Sequence, residues 1–153
     1  GGESIMIPVD PALIEGLYKP TQWRVTTDPS QINRRSVYLI AKRNLRLPFM
    51  EAFDAPPLLS SCPQRETSIH APQALEMLNG DLANELADAF AERLTEESGD
   101  NPPQIVHRAF WLALNRPPTI TEERLAVKFL LQQPRLSEFA LAIFNLNEFV
   151  YVH

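Results

Sequence analysis

The sequence predicts an all-α protein, an orthogonal or antiparallel helical bundle preceded by an irregular, proline-rich N-terminal arm. Three observations lead there. Nine of the 14 prolines lie at or before Pro72, so the first half is repeatedly barred from regular structure. Beyond Pro72, apolar residues recur at helical spacing between clear start and stop signals. The connections between the last of these segments are short, which makes them antiparallel neighbours. We expect an arm over residues 1–32 with one short helix, then a single helical domain over residues 33–153.

The elements follow in order. Residues 1–9 read as extended. Asp10-Pro11 supplies an N-cap and a proline at the first helical position, giving a short helix through Leu17 with Gly16 near its end. Residues 18–32 read as loop. Asn33 is placed to cap a helix over Arg34–Leu45, with Arg35, Lys42 and Arg46 on one side and Val37, Ile40, Ala41 and Leu45 broadly opposite. A buried strand is the competing reading of Val37–Ala41. Pro48 opens a helical turn over Phe49–Phe53 that Asp54-Ala55-Pro56-Pro57 ends, and residues 55–71 form a long loop.

Pro72 starts a helix to Leu78, closed by Asn79-Gly80 as a left-handed cap. The next helix, Leu82–Glu97, carries the apolar stripe Leu82, Leu86, Ala89, Phe90 and Leu94 and stops at Gly99. Pro102-Pro103 open a helix whose Ile105, Val106, Ala109, Phe110, Ala113 and Leu114 face inward, with Asn115 just past its end. Thr119 and Glu122 form a capping box ahead of Leu125, Ala126, Phe129 and Leu130. Pro134 breaks that helix. A last one buries Phe139, Ala140, Ile143 and Phe144, and Asn145–Glu148 repeats the capping pattern before a final turn.

Composition bounds the function. The 153 residues are 44% hydrophobic and 22% charged, with mean hydropathy −0.18, as in a globular domain. No apolar run approaches the ~18 residues of a membrane helix. One cysteine, Cys62, excludes an internal disulfide, a CxxC redox pair and a CxxCH haem attachment. Residues 1–65 hold eight basic against six acidic side chains, and residues 66–153 six against thirteen. The resulting net charge of −5 disfavours nucleic acid as a partner. The opening Gly1-Gly2-Glu3-Ser4 carries no secretion signal, and the abrupt start reads as part of a longer protein.

Several segments are familiar in combination: Asn33-Arg34-Arg35-Ser36-Val37-Tyr38 with Lys42-Arg43, Phe53-Asp54-Ala55-Pro56, Ser61-Cys62-Pro63-Gln64-Arg65 with Thr67, Pro72–Asn79, Arg116-Pro117-Pro118, and Asn145–Val152. In this order, over essentially residues 2–153, the chain resembles the C-terminal part of the Planctomycetes-specific cytochrome-associated family, domain of unknown function fifteen fifty-three. The resemblance implies a large exported bacterial protein with an upstream c-type cytochrome domain, at the periplasm or cell surface, connected with breakdown of complex polysaccharides. Upstream domains of the same polypeptide are then the expected partners, and haem belongs to them. The family offers no catalytic residues to carry over. It commonly has Gly before Arg-x-Pro where this chain has Asn115, and both residues tolerate the left-handed region.

Arg34, Arg35, Asp54 and Arg65 lie inside those motifs. Their guanidinium forks suit carboxylates, sulfates and phosphates, or else tie a carbonyl-rich loop to the helical body through Asp54. With His70 and Trp23 they form the candidate polar cluster, as a structural or partner-binding site and alternatively as a cleft for acidic or sulfated polysaccharide. A Cys62–His70 nucleophile pair lacks an orienting group, and His70, His107 and His153 share no metal-ligand spacing. Glu96-Glu97 and Glu122-Glu123 read as solvated or capping charge, not as a glycosidase pair. Trp111, in an apolar helix, reads as core, and Trp23 as the better sugar platform. The sum favours a non-catalytic module with no cofactor, metal or membrane span of its own.

Overall fold

The computed structural model describes residues 2–9, 11–17, 19–42, 45, 47–56, 71–132 and 135–151. Among them are eight α-helices, three isolated 3-10 turns and two isolated β-bridges, with no sheet. The chain is all-α. It divides into two compact units, Gly1–Ile69 and His70–His153.

The first unit is built on an extended N-terminal segment. Ile5 donates its N–H to Tyr38 O and accepts from Ile40 N, at 2.8 and 2.9 Å. Thr26 N donates to Met6 O at 2.9 Å, and the Trp23 indole N–H to Ile7 O at 3.1 Å. Short helices α1 (Pro11–Glu15) and α2 (Pro48–Ala52) fall where their prolines place them. The helix expected over Arg34–Leu45 is absent. In its place stand a 3-10 turn at Ser36–Tyr38 and bridges Ile5↔Leu39 and Lys42↔Leu45. Residues 38–40 find their hydrogen-bond partners on residue 5, thirty-odd positions away, which periodicity within the segment does not reveal. The β-branched Ile40 suits the bridged backbone, whereas Val37 sits in the 3-10 turn and is 74% exposed, not inward.

The second unit comprises α3 (Ala71–Asn79), α4 (Asp81–Ser98), α5 (Pro102–Leu114), α6 (Ile120–Gln132), α7 (Leu136–Phe144) and α8 (Asn147–Val150). Its core joins Leu94 of α4, Ile105, Val106, Ala109 and Phe110 of α5, and Phe139 and Ile143 of α7. Ala126, Phe129 and Leu130 of α6 pack against it. The caps act largely as their residues dictate. Asn101 Oδ1 accepts from Gln104 N at 3.4 Å. Asn115 sits in the left-handed region, with φ 55° and ψ 29°. Thr119 Oγ1 accepts from Glu122 N while a Glu122 carboxylate oxygen accepts from Thr119 N, which completes the capping box.

Four expectations change here. Gly80 is not a left-handed cap: with φ −65° and ψ 139° it is the extended N-cap of α4, and Asn79 ends α3. A Cβ on Gly80 would lie 2.4 Å from Glu76 O, so closeness of backbone to backbone is the need for glycine. The buried line of α4 runs through Ala83, Ala87 and Leu94, leaving Leu82 and Leu86 at 37% and 41% exposure. Small alanines let α4 approach α7, its most extensive partner, more closely than leucines would. Trp111 is half exposed and Leu125 more so, because α5 turns Val106 and Phe110 to the core instead. At the last break, Asn145 does not cap α8. Its Nδ2 donates to Leu141 O and to Met77 O at 2.8 and 3.2 Å, and Tyr151 Oη donates to the buried Gln73, so the C-terminal turn is tied to α3.

Candidate functional site

The polar cluster resolves into separate duties. Arg34 Nη1 donates to Glu3 O and to Gln31 Oε1, both at 3.1 Å, and its guanidinium lies 3.9 Å from the centre of the Tyr38 ring. This Arg fork fastens the extended segment two residues before its bridge with Leu39. Trp23 is 7% exposed, its indole N–H is held by Ile7 O, and Lys42 Nζ stands 5.6 Å from its ring centre. The ring therefore serves the interior of its unit. Arg35 is exposed. Asp54 has φ 55° just after α2, where Asp54 N donates to Glu51 O and Ala55 N to Met50 O. Those two bonds are a Schellman closure, and a short polar residue tolerates its left-handed position. Arg65, His70 and Cys62 lie outside the described residues.

Arg34 also lines a polar cleft of about 470 Å³ with Glu3, Ser4, Gln22, Arg24, Thr26 and Gln31. Its lining sets two arginines against one acidic residue, Glu3, with Ile5, Met6 and Ile40 apolar between them, a net charge that can receive one carboxylate or sulfate. A second cavity of about 430 Å³, lined by Leu39, Ile40, Leu45, Leu47 and Met50 with Glu51 at its edge, is mostly apolar. Arg24 was not distinguishable in the sequence from any surface arginine. Only the fold of the N-terminal segment onto residues 24–26 brings it beside Arg34.

The strongest electrostatic constellation is in the second unit. Arg116 donates from Nη2 to Glu122 Oε1 and to Glu148 Oε2, each at 2.8 Å, and from Nε to Glu148 Oε1 at 2.8 Å. Nη1 reaches Glu122 Oε2 at 3.0 Å and Pro117 O at 3.1 Å. Both carboxylates are thereby held well below the usual range, each first by its hydrogen bonds from Arg116, Glu122 to about 2. The same hydrogen bonds, to Glu122 first and then Glu148, push the Arg116 guanidinium further up. The clamp joins α6 and α8 to the α5–α6 turn. Glu97 is likewise held low, by Arg93 and then Arg108, and His107 Nε2 lies 3.5 Å from Glu123. The Arg-Pro-Pro motif and the Thr-x-x-Glu box marked Arg116 and Glu122 in the sequence. Glu148, 32 residues from Arg116, carried no sign of this pairing.

Among the described residues no group of three or more His, Cys, Asp or Glu could hold a metal ion, and no helix is long and apolar enough to cross a membrane. No buried side-chain nitrogen or oxygen among them lacks a hydrogen-bond partner. The described residues thus define an all-α protein whose polar side chains mainly hold its own segments together. No curated protein and no solved structure matches the chain significantly. The family model described as PSD1, protein of unknown function (DUF1553), matches residues 1–130, and the chain belongs to that family. The closing motif Asn145–Val152 lies beyond the matched span.

Proposed function

We propose that the chain is a non-catalytic interaction module of a longer exported polypeptide, docking to upstream domains of that polypeptide at the periplasm or cell surface. In this reading a c-type cytochrome domain, with its haem, lies upstream, as the family resemblance implies. The observation that carries the interaction reading is the apolar surface of α3 and α4. Leu75 and Leu78 are 59% and 48% exposed one turn apart on α3, and Leu82 and Leu86 follow one turn apart on α4. Isolated exposed leucines are ordinary, but four within twelve residues at helical spacing favour a covered face. Calorimetric titration of the chain with the upstream remainder of its polypeptide tests this. Saturable binding supports an assembly module, and absence of heat at high micromolar concentrations overturns it.

The cleft holding Arg24 and Arg34 favours a second reading, recognition of acidic or sulfated polysaccharide. That reading expects a sulfated oligosaccharide to bind more weakly as salt rises and to lose affinity in Arg24→Ala. Arg24 is the residue to vary, because Arg34 also holds the backbone at Glu3.

A further inference from the structure

The leucine face of α4 has a neighbour that selects its partner. At about 100° per residue, Leu82 and Leu86 lie between two lines on the helix. On one side is the buried line of Ala83, Ala87 and Leu94. On the other, Asp81, Glu85, Asp88, Glu92 and Glu96 recur at intervals of three and four residues, all exposed. Leu82 and Leu86 are not members of the core cluster, and α3 packs on α4 with its own exposed Leu75 and Leu78. Over the first half of α4 the surface thus presents an apolar strip of Leu82, Leu86 and Ala89 edged by the acidic rail, and the strip ends at Arg93, which is held by Glu97.

We infer that this face receives a basic amphipathic helix: leucine-type side chains against Leu82 and Leu86, and lysines or arginines along the acidic rail. The inference rests on the interaction reading above and names the chemistry of the partner. A strip one helix wide fits an inserted helix read at i, i+3, i+4 and i+7. The rail supplies orientation and excludes helices with acidic flanks, since like charges brought together on an apolar contact oppose binding.

The test uses the full chain and two labelled synthetic peptides of about 18 residues, identical in their leucines but flanked by lysines in one and glutamates in the other. Fluorescence anisotropy is read at low and moderate salt. The lysine peptide should bind at least about tenfold more tightly than the glutamate peptide, with the gap narrowing as salt rises. Leu82→Ser with Leu86→Ser should abolish that binding, with an unchanged far-ultraviolet spectrum. Asp81→Lys with Glu85→Lys, which leaves three of the five acids facing two lysines, should erase most of the preference while the lysine peptide still binds, a result that a merely unfolded variant cannot give. Equal affinity for both peptides overturns the inference. Binding of neither peptide, while the upstream remainder still binds, overturns it and leaves the interaction reading standing.

Discussion

Glu122→Ala probes the Arg116 clamp most directly. The carboxyl falls from 4.5 to about 2 in the folded chain, mainly through its bonds from Arg116. At about 1.36 kcal/mol per pH unit, that difference sets a ceiling of roughly 3 kcal/mol. The Arg116 and Glu122 side chains are 31% and 32% exposed, and solvent screening brings the share down to about 1 kcal/mol. Alanine also strips the acceptor from Thr119 N–H, for about 1 kcal/mol more. Circular-dichroism melting of the full chain at pH 7 should therefore show a fall of roughly 4–8 °C. Glu122→Gln, which keeps an acceptor for Thr119, should show about half of that. The sign with pH follows from a folded value below the unfolded one. The stabilisation is complete above about pH 5 and is lost as pH falls from 4.5 towards 2. At about pH 2.5 the gap between native and alanine chains should shrink towards half its neutral value, the protonated carboxyl still accepting from Thr119 N–H. A shift under about 2 °C at pH 7, or the same gap at both pH values, would refute the clamp as a stabilising unit.

Three more outcomes follow from geometry alone. Gly80→Ala should cost about 1–3 kcal/mol in urea unfolding, because its methyl meets Glu76 O. A neutral result would show that the α3–α4 junction opens easily. Asn115→Gly should leave stability within about 0.5 kcal/mol, whereas Asn115→Val should lose about 1–2 kcal/mol for a β-branched residue forced to positive φ. In acrylamide quenching, Trp23→Phe should leave a strongly quenched indole and Trp111→Phe a protected one, as their 50% and 7% exposures require; the reverse order would overturn both placements.

What could be read from the sequence, and what could not, divides by range. Features settled within one turn were readable: Pro11 and Pro48 at helix starts, the Thr119–Glu122 box, Asn115 past the end of α5. Each depends on bonds spanning four residues or fewer, so local identity decides it. Residues 34–45 failed because Ile5 supplies the hydrogen bonds of residues 38–40 from far outside any window. The stripe on α4 was misplaced by size: leucine looks like core by hydropathy, yet close approach to α7 selects Ala83 and Ala87. Asp54 shows the same limit for the candidate site. Its charge drew attention, while its left-handed backbone, visible only with Ala55 bonded to Met50 O, is what the fold uses. Arg24 meets Arg34 in the cleft only through the folding back of the N-terminal segment, so no spacing announces it.

The position of α7 bears on how the chain is made. Leu94 and Val106 are sealed with Phe139 and Ile143, which lie past residue 130, where the family match ends. A ribosome adding roughly 5–20 residues per second needs roughly 2–9 s after finishing α4 before it finishes α7. During that interval α4 and α5 have only α6 to cover their apolar seam, and the side that Phe139 and Ile143 seal stays open. The nascent second unit is therefore a substrate for chaperones that hold apolar helices. A chain released early, after α6, would emerge with that seam open and be sorted to proteolysis, however well its first 130 residues match the family.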